Sequence, residues 1–300
     1  MWFKNLLVYR LNKWADTPAS LEEKLSNYAL QPCSGLDMQS RGWVPPKADN
    51  EALVHALGSQ ILISLGVEKK LLPATVINQF SKARAQEIEE QQGYKPGRKQ
   101  MKEIKEAVTD DLLPRAFAIR RNTYAWIDPV GAWMVVDAAN IAKADEIVEM
   151  LIKALDGFSV SFIKTDVSPT AAMTEWLAGS HIPSVFTVDQ DCELRGKGDA
   201  GATVRYVRHT LEHEEVAKHI KAGKEVSRLA MTWHDKLSFV LHDNLQLKRI
   251  APLDIIKEQA KTSDQDDTFD TDFAIMTGEL QKLLPSVIEA LGGEVRSATA

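Results

Sequence analysis

The chain has 300 residues, of which 44% are hydrophobic and 26% are charged, and its formal net charge is −6 at pH 7. These values are typical of a globular protein of about two domains. Because no apolar run approaches the roughly 20 residues that span a bilayer, a membrane-spanning chain is excluded.

The N-terminal segment and the cysteines indicate a cytoplasmic protein. The apolar stretch at the N-terminus is interrupted by Lys4 and Arg10 and has no small-residue cleavage site, so no signal peptide is predicted. The two cysteines, Cys33 and Cys192, lie far apart in the sequence. We therefore expect reduced thiols and a cytoplasmic location.

Charge is segregated along the sequence, which matters more for attracting a polyanion than the total does. Residues 254–279 contain eight acids and two bases, so this segment alone accounts for the net charge of −6. Residues 95–105 contain five bases and one acid, and residues 195–224 contain seven bases and four acids. Both basic segments are candidates for contact with an anionic partner.

The sequence predicts strands that alternate with helices. A strand at 1–12 precedes a helix that starts at Thr17-Pro18, with Ser20 and Glu23 as a capping box. Residues 31–49, rich in Pro, Gly and Ser, are predicted as a loop. Strand groups that each precede a helix are predicted at 60–72 with a turn at Gly66, at 123–136 with a turn at 129–131, and at 228–250 with a turn at 243–244.

The second half adds shorter elements of the same kinds. A helix around Trp176, strands at 185–188 and 202–207, a helix at 212–222 and a final helix at 279–291 are predicted. Hairpins followed by helices favour an α+β fold, in which helices cover antiparallel sheets.

A pair of helices with few apolar positions interrupts this pattern. Residues 74–92 and 98–112 each have helical periodicity, and the segment 93–97, which contains two glycines and a proline, separates them. Such a pair buries little apolar surface, so we expect an arm that projects from the body. The bases of 95–105 would lie at its turn and along its second helix.

The stretch LLPRAFAIRRNTY, residues 112–124, follows this arm directly. It contains Arg115, Arg120 and Arg121 together with the aromatic residues Phe117 and Tyr124, and it has no carboxylate. A basic segment with aromatic side chains is typical of nucleic-acid contact, whereas a turn with solvated arginines has the same composition. The stretch alone leaves both interpretations open.

Candidate catalytic and metal motifs are incomplete. Asp189, Asp191 and Glu193 resemble part of a two-metal nuclease pattern, but Arg195 stands where a lysine is required and cannot readily release a proton. In the acidic run 264–272 an EF-hand is excluded, because Phe269 and Ile275 occupy its required glycine and glutamate positions. His209, His213 and His219 lack further ligands at zinc spacing. We therefore predict no cofactor and no bound metal.

Several short motifs, in order along the chain, resemble the family of recombination-associated RdgC proteins. They are MWFKNLLVYRL at the start, GWVPP at 42–46, LLPRAF followed by WID, TEW at 174–176, MTGEL at 276–280 and the ending IEALGGE. The resemblance covers essentially the whole chain, from Trp2 to Glu294.

The resemblance implies a DNA-binding protein of the nucleoid that has no enzymatic activity. Two subunits would form a ring-shaped homodimer around duplex DNA, bind without sequence preference, and limit recombination promoted by RecA. The fold would comprise a central α+β domain (1–73 and 119–164), a projecting helical tip domain (74–118) and a base α+β domain (165–300). Phe117 would be an exposed aromatic near the DNA, and Arg208 and His209 would lie at a contact that closes the ring.

Together the basic segments and the resemblance give one set of candidate DNA-binding residues. It comprises Lys95, Arg98, Lys99, Lys102, Lys105, Arg115, Phe117, Arg120 and Arg121. The partners expected are double-stranded and single-stranded DNA and a second copy of the chain. The alternatives are a metal-dependent nuclease that uses Asp189, Asp191 and Glu193, and a protein-interaction scaffold whose DNA affinity is incidental.

Overall fold

A computed structural model describes residues 2–179, 181–197, 201–211, 213–262 and 268–295. Within these ranges the strands are β1 (Asn5–Leu11), β2 (Gln39–Val44), β3 (Val54–Leu57), β4 (Gln60–Lys70), β5 (Ala118–Asp128), β6 (Trp133–Asp137), β7 (Val160–Phe162), β8 (Phe186–Gly196), β9 (Thr203–Tyr206), β10 (Lys224–Trp233), β11 (Leu237–His242) and β12 (Leu247–Pro252). The helices are α1 (Pro18–Ser26), α2 (Ala74–Gln92), α3 (Arg98–Leu112), α4 (Ile141–Ala154), α5 (Pro169–Leu177), α6 (His213–Lys221), α7 (Asp254–Thr262) and α8 (Thr268–Ala290).

These strands form one antiparallel sheet in the order β2-β4-β5-β6-β1-β12-β11-β10-β8-β9, with β3 paired to β4 and β7 paired to β1. The α+β class with antiparallel pairing is confirmed, but the expectation of several separate sheets is wrong. The N-terminal strand joins the two halves because it pairs on both edges. Leu7 lies opposite Val136 of β6, and Asn5 lies opposite Lys248 of β12.

One face of the sheet carries a hydrophobic core that extends across both halves. Leu6 and Trp126 from the first half and Phe239 from the second half belong to the same buried cluster as Phe273 and Leu283 of α8. Helices α5 and α6 of the second half also contribute buried residues to this cluster. Helix α8 therefore packs against the two halves of the sheet together.

The opposite face of the sheet differs between its halves. In the first half, buried residues of α1 and α4 pack against it, as shown by the cluster of Leu21, Leu25 and Ile147 with Ile63 and Val136. In the second half, strand alternation places polar residues on this face, which we call the open face. Its central members are Glu193, Arg205, Arg228, His242 and Lys248.

The predicted helical arm is confirmed as the antiparallel pair α2 and α3. Gly93, in the left-handed conformation (φ 81°), ends α2, and its amide donates to the carbonyl of Glu89. The two helices bury few residues, which are Ser81 of α2 and Ile104 and Val108 of α3. The seam between the helices is therefore thin, as the sequence indicated.

The predicted hairpin around Gly66 is wrong, because β4 continues from Gln60 to Lys70 without a turn. Gly66 lies opposite Gly42 of β2, which belongs to the segment predicted as a loop. A Cβ at Gly42 would come within 2.4 Å of the backbone of Leu30, and one at Gly66 within 2.7 Å of Val44. Both glycines are required by close packing in a strand and not by a turn.

The predicted start of α1 is confirmed, but its capping residue and the start of α8 differ from the predictions. Pro18 does open α1, but the N-cap is Thr17, whose hydroxyl accepts a hydrogen bond from the Ser20 amide (3.2 Å), so Ser20 is not the capping residue. Helix α8 begins at Thr268, eleven residues before the predicted start at Glu279. Residues 264–267 of the acidic run lie outside the described residues.

Two further findings within the described ranges concern the cysteines and the helix lengths. Cys33 and Cys192 are free thiols. Burial raises the pKa of the Cys192 thiol to about 12. Among the described helices, none is both long enough and apolar enough to cross a membrane. The division into central, tip and base domains stays a prediction.

Candidate nucleic-acid interface

The five basic residues predicted on the arm are all exposed. Lys95 lies in the turn between α2 and α3, and Arg98, Lys102 and Lys105 recur at intervals of four and three residues along α3. Residues at this spacing share one stripe of a helix. Lys102 lies 3.6 Å from Glu106, a surface ion pair of little energetic consequence. The stripe therefore presents cations to solvent.

Arg115 and Phe117 lie where the arm joins the sheet, a region we call the root. A short 3-10 turn, Leu113–Arg115, ends α3, and the carbonyl of Phe117 then accepts a hydrogen bond from the Leu71 amide (2.7 Å). The side chain of Phe117 is 84% exposed, and that of neighbouring Ile119 is also exposed. An aromatic ring with this exposure adds almost nothing to the core, so its position is available for a partner.

The structure places Arg120 and Arg121 in β5 and not in a turn at the end of the arm, because this segment pairs along its length with β4. Their side chains point to opposite faces of the sheet, since successive strand residues alternate. Arg120 lies on the face of Trp126 and approaches Glu68 at 3.7 Å. Arg121 lies on the face of Ala125. The two arginines therefore do not belong to one contact surface.

The predicted DNA-binding residues of the arm thus extend between two groups, one at its far end and one at its root. Helix α2 has 19 residues and so is about 28 Å long. Lys95, Arg98 and Lys99 lie towards its far end, whereas Arg115 and Phe117 lie at the root. Lys102 and Lys105 follow along α3 between these groups. A ligand that contacts both groups must therefore be extended.

Arg208 and His209, the predicted ring-closing pair, follow the edge strand β9. Arg208 has a left-handed backbone (φ 51°), and its amide donates to Oδ1 of Asp191 (2.8 Å). The His209 amide donates to the carbonyl of Gln190 (3.2 Å), so both residues are tied to β8. Their side chains are exposed. Their role in a subunit contact stays a prediction.

Sequence reasoning missed a cluster of arginines around Glu193 on the open face. The Glu193 side chain is 2% exposed and forms ion pairs with Arg195 (3.3 Å), Arg205 and Arg228 (3.3 Å). The Ser227 hydroxyl also donates to Oε1 of Glu193 (3.0 Å). The excess of bases in residues 195–224 was the only signal in the sequence, and it did not reveal that three strands bring these arginines to one carboxylate.

The electrostatics of this cluster follow from its contacts. Burial raises the pKa of Glu193, but hydrogen bonds from Arg205 and Ser227 and the charges of Arg228 and Arg205 outweigh that effect, so the pKa is lowered overall. Burial and the charges of Lys248, Arg228 and Arg249 lower the pKa of His242 to about 4, against a smaller opposing effect of Glu193. Glu193 is therefore ionised and His242 neutral at pH 7.

The carboxylates of the nuclease alternative have separate partners. Asp189 accepts hydrogen bonds from the Thr232 hydroxyl (3.0 and 3.1 Å), Asp191 pairs with Arg249 (3.3 Å), and Glu193 is held by the arginines described above. Among the described residues, no group of three His, Cys, Asp or Glu side chains is placed to hold a metal ion.

The structure defines an α+β protein that combines one antiparallel sheet, a basic arm with an exposed aromatic at its root, and an arginine cluster on an open sheet face. The family model described as "Putative exonuclease, RdgC" matches residues 1–294. The chain belongs to the RdgC family, which confirms the resemblance seen in its sequence.

Relatives named "Recombination-associated protein RdgC" match over nearly their whole length. The protein from Herminiimonas arsenicoxydans is 59% identical over 98% of this chain and 99% of its own length. The protein from Janthinobacterium sp. (strain Marseille) is 57% identical over the same shares, and that from Bordetella pertussis is 54% identical over 99% of this chain and 100% of its own. The chain is therefore a recombination-associated protein by family.

Proposed function

We propose that this protein binds DNA without sequence preference, as a ring-shaped homodimer that encircles the duplex in the nucleoid and limits recombination promoted by RecA. The single observation that carries DNA binding is the exposed basic arm, whose root presents Phe117 at 84% exposure. The names of the relatives, which refer to recombination, agree with this role.

The residue types along α3 favour binding to the DNA backbone over recognition of bases. Lysines and arginines along α3 are suited to phosphates, which hold a protein on DNA but carry no sequence information. Helix α3 could enter a groove, but its exposed stripe contains no Asn or Gln of the kind that recognises adenine edges, since Gln100 lies outside the stripe at Arg98, Lys102 and Lys105. We therefore expect affinity that depends strongly on salt and weakly on sequence.

Fluorescence anisotropy with labelled duplexes of unrelated sequence tests this function. We expect the duplexes to bind with affinities within about threefold of each other, and log K to fall linearly with log salt concentration. The complete absence of binding at about 50 mM salt would contradict the proposal and favour the scaffold alternative.

The second candidate, an exonuclease, follows from the description of the family. We propose that the protein lacks this activity, since Glu193 of the candidate carboxylates is held by arginines. End-labelled linear DNA and supercoiled plasmid are incubated with the protein and Mg²⁺ or Mn²⁺. Shortening or nicking that copurifies with the protein and disappears in Asp189→Asn would establish the nuclease instead.

A further inference from the structure

We propose that Arg195, Arg205 and Arg228, gathered around Glu193 on the open face, form a second phosphate-binding surface for DNA, separate from the arm. This inference rests on the proposed DNA-binding function and names a site on the sheet that carries part of it.

Three adjacent strands bring these arginines together. In the register of the sheet, Arg205 of β9 lies opposite Glu193 of β8, which lies opposite Arg228 of β10. Arg195 follows two residues after Glu193 on the same strand, and therefore on the same face. The arginines are 53%, 57% and 41% exposed for Arg195, Arg205 and Arg228, whereas the carboxylate beneath them is 2% exposed.

One carboxylate cannot neutralise three guanidinium groups, so the cluster keeps an excess of about two positive charges. Three guanidinium groups carry about fifteen N–H donors, whereas a carboxylate offers only about four acceptor sites. Most of the donors of this cluster therefore have no interaction with Glu193. Glu193 holds the arginines in place from below, which reduces the entropy that they lose when a phosphate binds.

The surrounding residues preserve this positive excess. A cavity of about 330 Å³ on the open face is lined by four bases, Arg205, Arg228, Lys248 and Arg249, and by two acids, Asp191 and Glu193, which is an excess of two positive charges. Arg249 pairs with Asp191 at 3.3 Å, and Lys197, beyond the cavity, pairs with Glu225 at 3.0 Å. Each of these two pairs is neutral, so the excess comes from the arginine cluster around Glu193 and from Lys248.

The shape of the basic surface fits an extended polyanion better than a small anion. The row from Arg205 to Lys248 crosses five neighbouring strands, β9, β8, β10, β11 and β12. With adjacent strands about 4.8 Å apart, this row is about 19 Å long. Duplex DNA carries one negative charge per about 1.7 Å of its axis, so it can contact such a row at several phosphates, whereas free phosphate contacts one point.

Salt-dependent DNA binding of the full chain tests the site. The variant Arg205→Gln with Arg228→Gln is compared with Lys257→Gln with Lys282→Gln, which removes the same two charges from α7 and α8. We expect the first variant to lower affinity about tenfold or more at 100 mM salt and to reduce the slope of log K against log salt by about two. The control variant should bind like the unmodified protein.

Because the double variant leaves Glu193 with fewer partners, the single variant Arg195→Gln provides a milder test. It should retain the fold, judged by circular dichroism and thermal unfolding, and reduce the slope by about one. If the unmodified protein binds DNA and both open-face variants bind like the control, the second surface is refuted while the proposed function stands. If the unmodified protein binds no DNA, the proposed function fails and this inference fails with it.

Discussion

At the scale of single residues, Phe117 and Glu193 have opposite environments that indicate different roles. Phe117 is an exposed aromatic residue whose backbone carbonyl is hydrogen-bonded to Leu71, whereas Glu193 is a buried carboxylate surrounded by arginines. In the proposed function, Phe117 would contact DNA and Glu193 would hold the arginines that bind phosphates. Substitutions at the two sites should therefore affect binding and stability differently.

The variant Phe117→Ala is expected to weaken DNA binding without destabilising the protein. On single-stranded DNA, where the bases are free to stack on an aromatic ring, such a contact contributes about 1–3 kcal/mol, which corresponds to a loss of at least fivefold in affinity. The free energy of unfolding should change by less than about 0.5 kcal/mol, because the ring is exposed. Anisotropy and urea denaturation measure the two effects. Combining it with Arg120→Ala and Arg121→Ala should weaken binding further.

Val130→Ala provides the control, because Val130 is a similarly exposed apolar residue in the turn between β5 and β6. It should leave both affinity and stability unchanged. If the variant that combines Phe117→Ala, Arg120→Ala and Arg121→Ala binds DNA as tightly as the unmodified protein, the root does not contact DNA.

His242 should make stability depend on pH. Its pKa is about 4 in the folded protein, below the ordinary 6.5, because of burial and the charges of Lys248, Arg228 and Arg249. The unfolded chain therefore binds a proton first as pH falls. The contribution of His242 is complete above about pH 6.5, decreases as pH falls towards 4, and totals less than about 3 kcal/mol, because solvent screens a half-buried side chain.

Urea denaturation of the unmodified protein and of His242→Gln between pH 4 and pH 7.5 measures this contribution. The difference in unfolding free energy between the two proteins should shrink as pH falls. A difference that stays constant over this range would show that His242 does not titrate as described.

At the scale of elements, the arm and the central strands illustrate what local sequence can and cannot predict. The arm could be predicted because Gly93, Pro96 and Gly97 interrupt two helical patterns, which is a local signal. The strand β4 could not, since Gly66 has the same sequence signature in a turn as in a strand against which side chains pack closely. Its role depends on the side chain of Val44 in β2, a contact that the sequence does not show.

The arginine cluster on the open face could not be predicted from the sequence for a similar reason. Glu193 and Arg228 are 35 positions apart and become neighbours only through the register of β8 with β10, which contains two irregularities. A shift of one residue would move each side chain to the other face. Charge counts therefore indicated a basic segment but not which side chains share a surface.

Alanine substitutions at Gly42 in β2 and at Gly278 in α8 give a direct test of the strand packing. In Gly42→Ala the new methyl group would lie 2.4 Å from the backbone of Leu30, so we expect a loss of about 3 kcal/mol or more in unfolding free energy. In Gly278→Ala the methyl group meets nothing within 4 Å inside α8, so stability should rise by about 0.5–1 kcal/mol. Thermal unfolding compares them, and equal effects would refute the described contacts.

The basic stripe on α3 should contribute to DNA binding only through the charges of its side chains. Lys102→Gln with Lys105→Gln is expected to reduce the slope of log K against log salt by up to about two. The same Lys257→Gln with Lys282→Gln variant is the matched control. Combined with Arg205→Gln and Arg228→Gln, the arm variant should have additive effects on log K, because the sites are independent. An unchanged slope in the arm variant would place the arm outside the DNA interface.

At the scale of the whole molecule, the sheet separates packing from candidate binding surfaces. One face is occupied by the core shared with α8, whereas the second half of the other face keeps its arginines in solvent. The net charge of −6 is therefore a poor guide to the partner, because acids and bases are segregated along the sequence. A two-fold homodimer would double each basic surface and so could line both sides of an enclosed duplex.

Encirclement of DNA is the central claim, and a salt challenge on circular and linear DNA tests it most directly. The protein is bound at low salt to a covalently closed relaxed plasmid or to the same plasmid cut once, and the retained protein is measured after gel filtration at high salt. A ring should stay on the closed circles, slide off the linear molecules, and be released when the washed circles are cut. Equal loss from circular and linear DNA would contradict encirclement.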